Sequence, residues 1–423
     1  MIDPVRIEAD YLIETSFDPR RAAEVMAGEQ SSGTFVAVPG ETIELKARAA
    51  ARIERLEVLD PEVQHPSLPD SADPTGQAVT SRKRALVTLS WPPDNIGPSL
   101  PNLMATIAGN LFELQQFSGL RLLDLRLPGV FAKTYPGPKF GIEGTRRLAG
   151  VSKLPLIGTI IKPSVGFGPG ETADLVQTLC EAGIDFIKDD ELQSDGPHCS
   201  FEARATAVMR VVNAHADRTG KKVMVAFNIT GEMDQMRRRH DLVRALGGTC
   251  VMASLNSVGL VGMIELGRIS ELPIHAHRNG WGYLSRHPML GWSYVAWQKF
   301  WRLAGADHMH VNGLDSKFAE PNNSVIASAK ACLTPMFADA PCLAMPVFSS
   351  GQSARQAPGT YAALGSPDLI VTAGGGIMAH PDGPGAGVDA LRRAWEAAIA
   401  GIPLANYAQS HPALAKALEG HAT

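Results

Sequence analysis

The chain has 423 residues, 45% of them hydrophobic and 19% charged, which suits a folded protein with one large domain and a smaller one and excludes a disordered or fibrous chain. A net charge of -4 leaves no basic footprint for nucleic acid, and no lysine-rich amphipathic stretch suggests a membrane surface, so a small-molecule partner is expected. Cysteines at 180, 199, 250, 332 and 342 are odd in number and lack a CxxC pair, which argues against a disulfide framework or a zinc site and for a reducing cytoplasm.

The N-terminal stretch MIDPVRIEADYLIE carries acidic residues and no apolar core, so no signal peptide is expected. Val5 to Ile13 and Ala85 to Trp91 read as strands, and Pro19 to Gln30 and Asn102 to Leu111 as helices, predicting a compact α+β domain over residues 1–135. His65 to Gly76, rich in Pro, Ser and Asp, reads as a surface loop, and Thr134 to Lys139 as a linker. From Leu156 onward apolar strands alternate with helical spacing: Leu156 to Lys162, Ile184 to Glu191, Val223 to Thr230, Cys250 to Asn256, Pro273 to Arg278, His308 to Gly313, Cys342 to Ser350 and Leu369 to Gly376. Eight such units over about 250 residues predict a (β/α)8 TIM barrel within residues 136–423, with its site at the C-terminal strand ends. The uncharged run from Ala245 to Ile264 contains four glycines and reads as strand, loop and helix start, not as a bilayer span.

Polar residues collect at those strand ends. Lys188-Asp189-Asp190-Glu191 follows an apolar run, and Lys162 reads as a second buried lysine. Desolvating such groups is costly unless something pairs with them, so the tetrad is either a salt-bridged strand end or a site. Period-two alternation puts Lys188 and Asp190 on one side and Asp189 opposite. A hard cation such as Mg2+ needs about six oxygens, which two carboxylates do not supply. Gly374 to Gly376, with Ser349-Ser350-Gly351 before it, offers N–H groups to an anion or forms a tight turn. His275 and His277 share a strand face with no acidic third ligand, which favours anion binding by Arg278 with one histidine over zinc. His308 and His310 have the same spacing, and one histidine of each pair is expected in the core. Arg237 to His240 reads as a solvated helix face, and the tryptophans as packing.

These motifs resemble, in order, the large subunit of ribulose-1,5-bisphosphate carboxylase/oxygenase (RuBisCO) and the RuBisCO-like proteins: Glu29 to Phe35, Gly109-Asn110, Leu123 to Arg126, Gly158 to Pro163, Phe186 to Glu191, His275 to Arg278, Asp307 to His310 and Gly374 to Pro381. The resemblance implies a ferredoxin-like N-terminal domain and a lysine carbamylated by CO2, Lys188, that binds Mg2+ together with Asp190 and Glu191. It makes Lys162 the catalytic lysine and Lys317 the lysine of a mobile loop. Arg278 and His310 would hold one phosphate or the equivalent end of the substrate, while Thr34, Gly351, Gly374 and Gly375 face another. His277 and Ser349 match residues that contact substrate hydroxyls. Glu29, Thr34 and Asn110 would reach a neighbouring subunit's site, implying a homodimer or an oligomer of dimers.

Departures bear on activity. Ser164 stands where the carboxylases have a lysine, Ile160 where they have threonine and Phe35 where they have tryptophan, and Gly313 to Phe318 differs from the carboxylase loop. Losing a cation and a hydroxyl beside the metal argues against CO2 fixation. Retaining Lys162 and Lys317 points to removal of a carboxylate from a phosphorylated 3-oxo sugar acid, with Lys162, its pKa lowered by burial and a neighbouring cation, protonating the resulting carbon or stabilising developing charge. An enolase or isomerase of a methylthio-sugar phosphate is the alternative; a non-catalytic regulatory binding protein is a third.

Overall fold

The computed structural model describes residues 5–33, 39–69, 71–72 and 81–419, so Thr34, Phe35 and part of the loop expected over 65–76 lie outside the described residues. Two compact units emerge. The first comprises residues up to 136 together with 280–303 and 336–341; the second comprises 137–279, 304–335 and 342 onward.

In the first unit the strands are β1 (Ile7–Thr15), β2 (Arg52–Val63), β3 (Arg82–Trp91) and β4 (Gly119–Arg126). Ile7, Ala9, Tyr11 and Ile13 alternate into the core and are fully buried, so one face of β1 seeds the unit. The helix Pro19–Glu29 is capped by the Asp18 side chain, which accepts from the Arg21 N–H, and it buries Ala22, Ala23 and Met26. Its order with respect to the strands, and the antiparallel arrangement β4-β1-β3-β2, give the expected ferredoxin-like α+β layer. A fifth strand, Leu290–Trp292, adds to β4 in parallel. Around it Trp281, Tyr294, Trp297 and Trp301 stack tilted or edge-on, which is the packing role expected of tryptophan.

The second unit is a closed barrel of eight parallel strands. Counting the strand at 290–292 as β10, they are β5 (Leu156–Ile160), β6 (Phe186–Lys188), β7 (Met224–Asn228), β8 (Cys250–Ser254), β9 (Ile274–His277), β11 (His308–Asn312), β12 (Met345–Phe348) and β13 (Ile370–Thr372). All eight fall where the apolar runs predict them. Leu156, Phe186, Met224, Cys250, Met252, Met345, Val347 and Ile370 fill the interior as one apolar cluster. Gly158 lets β5 approach β6: a Cβ there would lie 3.0 Å from both the ring and the carbonyl oxygen of Phe186. Polar residues stand among these and at the strand ends: His275 and His308 are in register with Met252 and Met345, and His310 with Val347, while Lys188 and His277 end β6 and β9.

The run from Ala245 to Ile264 resolves into a helix end, β8 and the start of the helix Leu255–Ile269. Among the described residues no helix is long and apolar enough to cross a membrane. The five cysteines are buried and none is in a disulfide. The basic run at 237–240 differs from expectation. Arg239 and His240 are buried, because Arg239 donates to the carbonyls of Ile229 and Thr230 just past β7 and ion-pairs with Asp195 at 2.8 Å.

Candidate active site at the mouth of the barrel

Lys188 is the last residue of β6; the Asp189 N–H still donates to the Ala226 carbonyl at 3.1 Å, and the chain turns from Asp190, whose carbonyl accepts from the Gln193 N–H at 3.1 Å. The Lys188 ammonium, 1% exposed, donates to the Asp189 carbonyl at 2.7 Å and to Glu191 Oε2 at 3.3 Å. Burial lowers its pKa, and the charges of Glu191 and Asp190 oppose that fall. Asp190 is 2% exposed and accepts from Lys162 Nζ at 2.6 Å and from the Leu192 N–H at 3.1 Å. Lys162 also donates to Ser164 Oγ at 2.7 Å. The lysine is 44% exposed and not buried as its sequence context suggests, because it sits two residues beyond the end of β5.

His277 Nδ1 accepts from the Asn279 N–H at 3.2 Å, so its proton is on Nε2, 3.4 Å from Glu191 Oε2. Burial, with Lys188 nearby, pushes this imidazole down to about 4. Glu191 is held at about 2 despite its burial, by His277 and Lys188. At neutral pH His277 is uncharged and Glu191 is ionised.

Asp189 turns away from this group. It is buried and accepts from Arg204 Nη2 at 3.1 Å and from the Asn228 N–H at 2.9 Å. The Asn228 side chain donates to the carbonyls of Asp190 and Glu191 at 3.3 and 3.2 Å, clamping the bend from behind. Ser254, register partner of His277, has a buried hydroxyl without a hydrogen-bond partner among the described residues.

On the other side of the mouth, Arg278 Nη2 donates to Glu320 Oε2 at 2.6 Å. Asn312 and Ser324 donate to the same carboxylate at 3.0 and 2.8 Å. His310, buried at the same end, has Nδ1 3.2 Å from Ser349 Oγ and Nε2 2.7 Å from His275 Nε2. Burial holds the pKa of both rings well below its ordinary value. Lys317 is exposed, its ammonium 5.3 Å from the centre of the Phe318 ring, and its backbone N–H donates to the Ser350 carbonyl at 3.3 Å. That bond ties the Lys317 loop to the Ser349 to Gly351 segment. Gly374 to Gly376 open a short helix and do not form a tight turn; a Cβ on Gly376 would lie 2.6 Å from the Gln352 carbonyl oxygen.

Lys162 and Asp190 thus form one pair and Lys188, Glu191 and His277 a second group next to it in the chain, while Arg278, His310 and Ser349 line the end that also holds Glu320. In the first unit Asn110 Nδ2 donates to Glu29 Oε1 at 3.4 Å. Sequence reasoning gave no role to Glu320, Asn312 or Ser254: Glu320 meets Arg278 from 42 residues away, Asn312 joins that pair, and Ser254 faces His277 across the strands. Among the described residues no three His, Cys, Asp or Glu side chains are grouped to hold a metal. Asp190 and Glu191 therefore suit a hard cation only if Lys188 also becomes an anionic oxygen ligand, and a buried amine of lowered pKa is suited to react with CO2.

Comparison with known proteins identifies the family. The family description for the ribulose bisphosphate carboxylase large chain, catalytic domain, matches residues 141–421, and that for its N-terminal domain matches residues 71–131. A 3-oxo-isoapionate-4-phosphate transcarboxylase/hydrolase of Xanthobacter autotrophicus is 63% identical over 98% of both chains. A 3-oxo-isoapionate-4-phosphate decarboxylase of Rhizobium rhizogenes is 45% identical over 97% of both. The crystal structure of a rubisco-like protein from Burkholderia fungorum superposes with a TM-score of 0.93 at 48% identity, covering 99% of this chain and 100% of that one. With its barrel, its lysine-carboxylate tetrad and these matches in place, the chain belongs to the ribulose bisphosphate carboxylase large-chain family.

Proposed function

We propose that the protein is a Mg2+-dependent carbon-carbon lyase that removes the carboxylate of a phosphorylated 3-oxo sugar acid, as a decarboxylase or a transcarboxylase/hydrolase. Fixation of CO2 is not its reaction. The observation that carries this reading is the setting of Lys162: its ammonium lies between Asp190 and Ser164, with a serine hydroxyl where the carboxylases place a second cation. The relatives from Xanthobacter and Rhizobium, named for 3-oxo-isoapionate-4-phosphate, support the substrate class.

Carbamylated Lys188, Asp190 and Glu191 would hold the cation, which when bound stabilises the negative charge developing on adjacent substrate oxygens. Cleavage of the bond to the carboxylate leaves its electron pair on the sugar as an enediolate. Lys162 Nζ, oriented by Asp190, delivers a proton to the carbon that lost the carboxylate. His277, whose Nε2 lies 3.4 Å from Glu191 Oε2, stands beside that carboxylate and contacts a substrate hydroxyl. Lys317 reaches the departing carboxylate from its loop. Gly351, Gly374 and Gly375, with Thr34, would receive the phosphate, Arg278 and His310 the other end of the substrate, and Ser349, beside His310, a substrate hydroxyl. In a cytoplasmic homodimer Glu29, Thr34 and Asn110 would complete the partner's site.

The test is product analysis with two substrates, a 3-oxo sugar acid 4-phosphate and a 2,3-diketo methylthio-pentane phosphate. The expected outcome is loss of the carboxylate from the first and no turnover of the second. Enolisation of the second alone would replace this reading with the sulfur-salvage one.

A further inference from the structure

The Arg278 and His310 end of the mouth is where resemblance to the carboxylases puts a phosphate, and two independent arrangements speak against one there. The first is charge. Glu320 shares its carboxylate among Arg278, Asn312 and Ser324, and with Arg278 10% and Glu320 16% exposed, the pair is shielded from water. The guanidinium is already matched by an anion, and a phosphate at Arg278 would have to sit beside the Glu320 carboxylate.

The second is the direction of a buried hydrogen-bond chain. Thr145 Oγ1 gives its only proton to the Gly141 carbonyl, so toward His308 Nε2, at 2.8 Å, it only accepts. His308 therefore carries its proton on Nε2 and has a bare Nδ1. His275 Nδ1, 3.4 Å away, must be the donor there, which leaves His275 Nε2 bare. His310 Nε2, 2.7 Å from that nitrogen, then carries the proton, and His310 Nδ1 is the bare acceptor 3.2 Å from Ser349 Oγ. An acceptor nitrogen receives a hydroxyl proton and repels a phosphate oxygen.

We infer that the Arg278 and His310 end reads an uncharged, hydroxyl-bearing end of the substrate, so that the enzyme selects sugar monophosphates and gains nothing from a second phosphate. This rests on the sugar-phosphate reading above, but its test does not use turnover. Calorimetric titration of the intact Mg2+-loaded protein with ribulose 5-phosphate and ribulose 1,5-bisphosphate gives the preference for a second phosphate. The expected preference is below about threefold in the wild type, and Glu320→Gln, which removes the competing charge, raises it about tenfold or more. A tenfold wild-type preference for the bisphosphate, or an unchanged ratio in Glu320→Gln, overturns the inference. Histidine side-chain 15N spectra of the wild type test the tautomer without any variant: an unprotonated His310 Nδ1 supports the inference and a protonated one overturns it. A wrong reaction assignment shows only in the product assay, and a wrong specificity only in these two measurements.

Discussion

Asp189→Ala separates the two adjacent aspartates by what they hold. The side chains of Asp189 and Arg204 are 4% and 1% exposed, and the pair is joined at 3.1 Å, while the same carboxylate accepts the Asn228 N–H at 2.9 Å. Removing the carboxylate strands a buried guanidinium, which costs about 3–5 kcal/mol, and leaves a buried N–H unmatched at about 1–3 kcal/mol more. Arg204 keeps the carbonyls of Cys199 and Ser194 as acceptors, at 3.1 and 2.8 Å, so the lower end applies, about 4 kcal/mol in all. Urea titration should show that loss, and Asp189→Ala in an Arg204→Met background should cost at least about 2 kcal/mol less, because no charge is then stranded. Asp190→Ala, one residue on, should abolish activity while costing far less stability, since its partner Lys162 returns to water. A loss below about 1 kcal/mol for Asp189→Ala, or equal losses in both backgrounds, would refute the argument that Asp189 anchors the bend.

Four other outcomes are expected. Lys188→Ala should abolish Mg2+-dependent turnover and remove the carbamate signal from 13CO2-labelled protein; unchanged turnover would eliminate the carbamate. Lys317→Ala should lower the decarboxylation kcat by about 10²–10³ with Mg2+ binding unaltered, as for loss of one charge that meets the transition state; full activity would exclude a carboxylate-bearing substrate. Ser164→Lys should not confer incorporation of labelled CO2 into ribulose bisphosphate, because Ile160 and the altered loop remain, and robust incorporation would show those differences to be minor. Burial holds His308 at about 3, far below the ordinary imidazole value. A depressed pKa means the unfolded ring takes up a proton first as pH falls, so stability present above about 6.5 declines below it, by about 2 kcal/mol at pH 5 from this ring alone. Urea titrations at pH 8 and pH 5 should show the decline, with a shallower one in His308→Gln; identical slopes would contradict it.

The chain's apolar rhythm was enough to determine the eight barrel strands, because strands buried on both faces read as short uninterrupted apolar runs between polar loops. It was silent on β2, whose twelve residues include none that is buried and therefore carry no alternation to read. It was also silent on β4, where the pairing register with β1 shifts between Asp10 and Tyr11 and breaks the alternation. The lysine-carboxylate tetrad stood out because charge at the end of an apolar strand is costly. Its division of labour did not: alternation alone separates Asp189 from Asp190, but Arg204 and the Asn228 N–H, which hold Asp189, arrive from elsewhere in the chain. Glu320 is one carboxylate among many until folding sets it against Arg278. The histidines at 275, 308 and 310 become a directed chain only when β9 and β11 pair and Thr145 closes the end. Local pattern determines which residues are buried, since burial follows composition along a strand. Which buried polar groups meet, and in which direction their protons point, is decided by contacts between segments far apart in sequence.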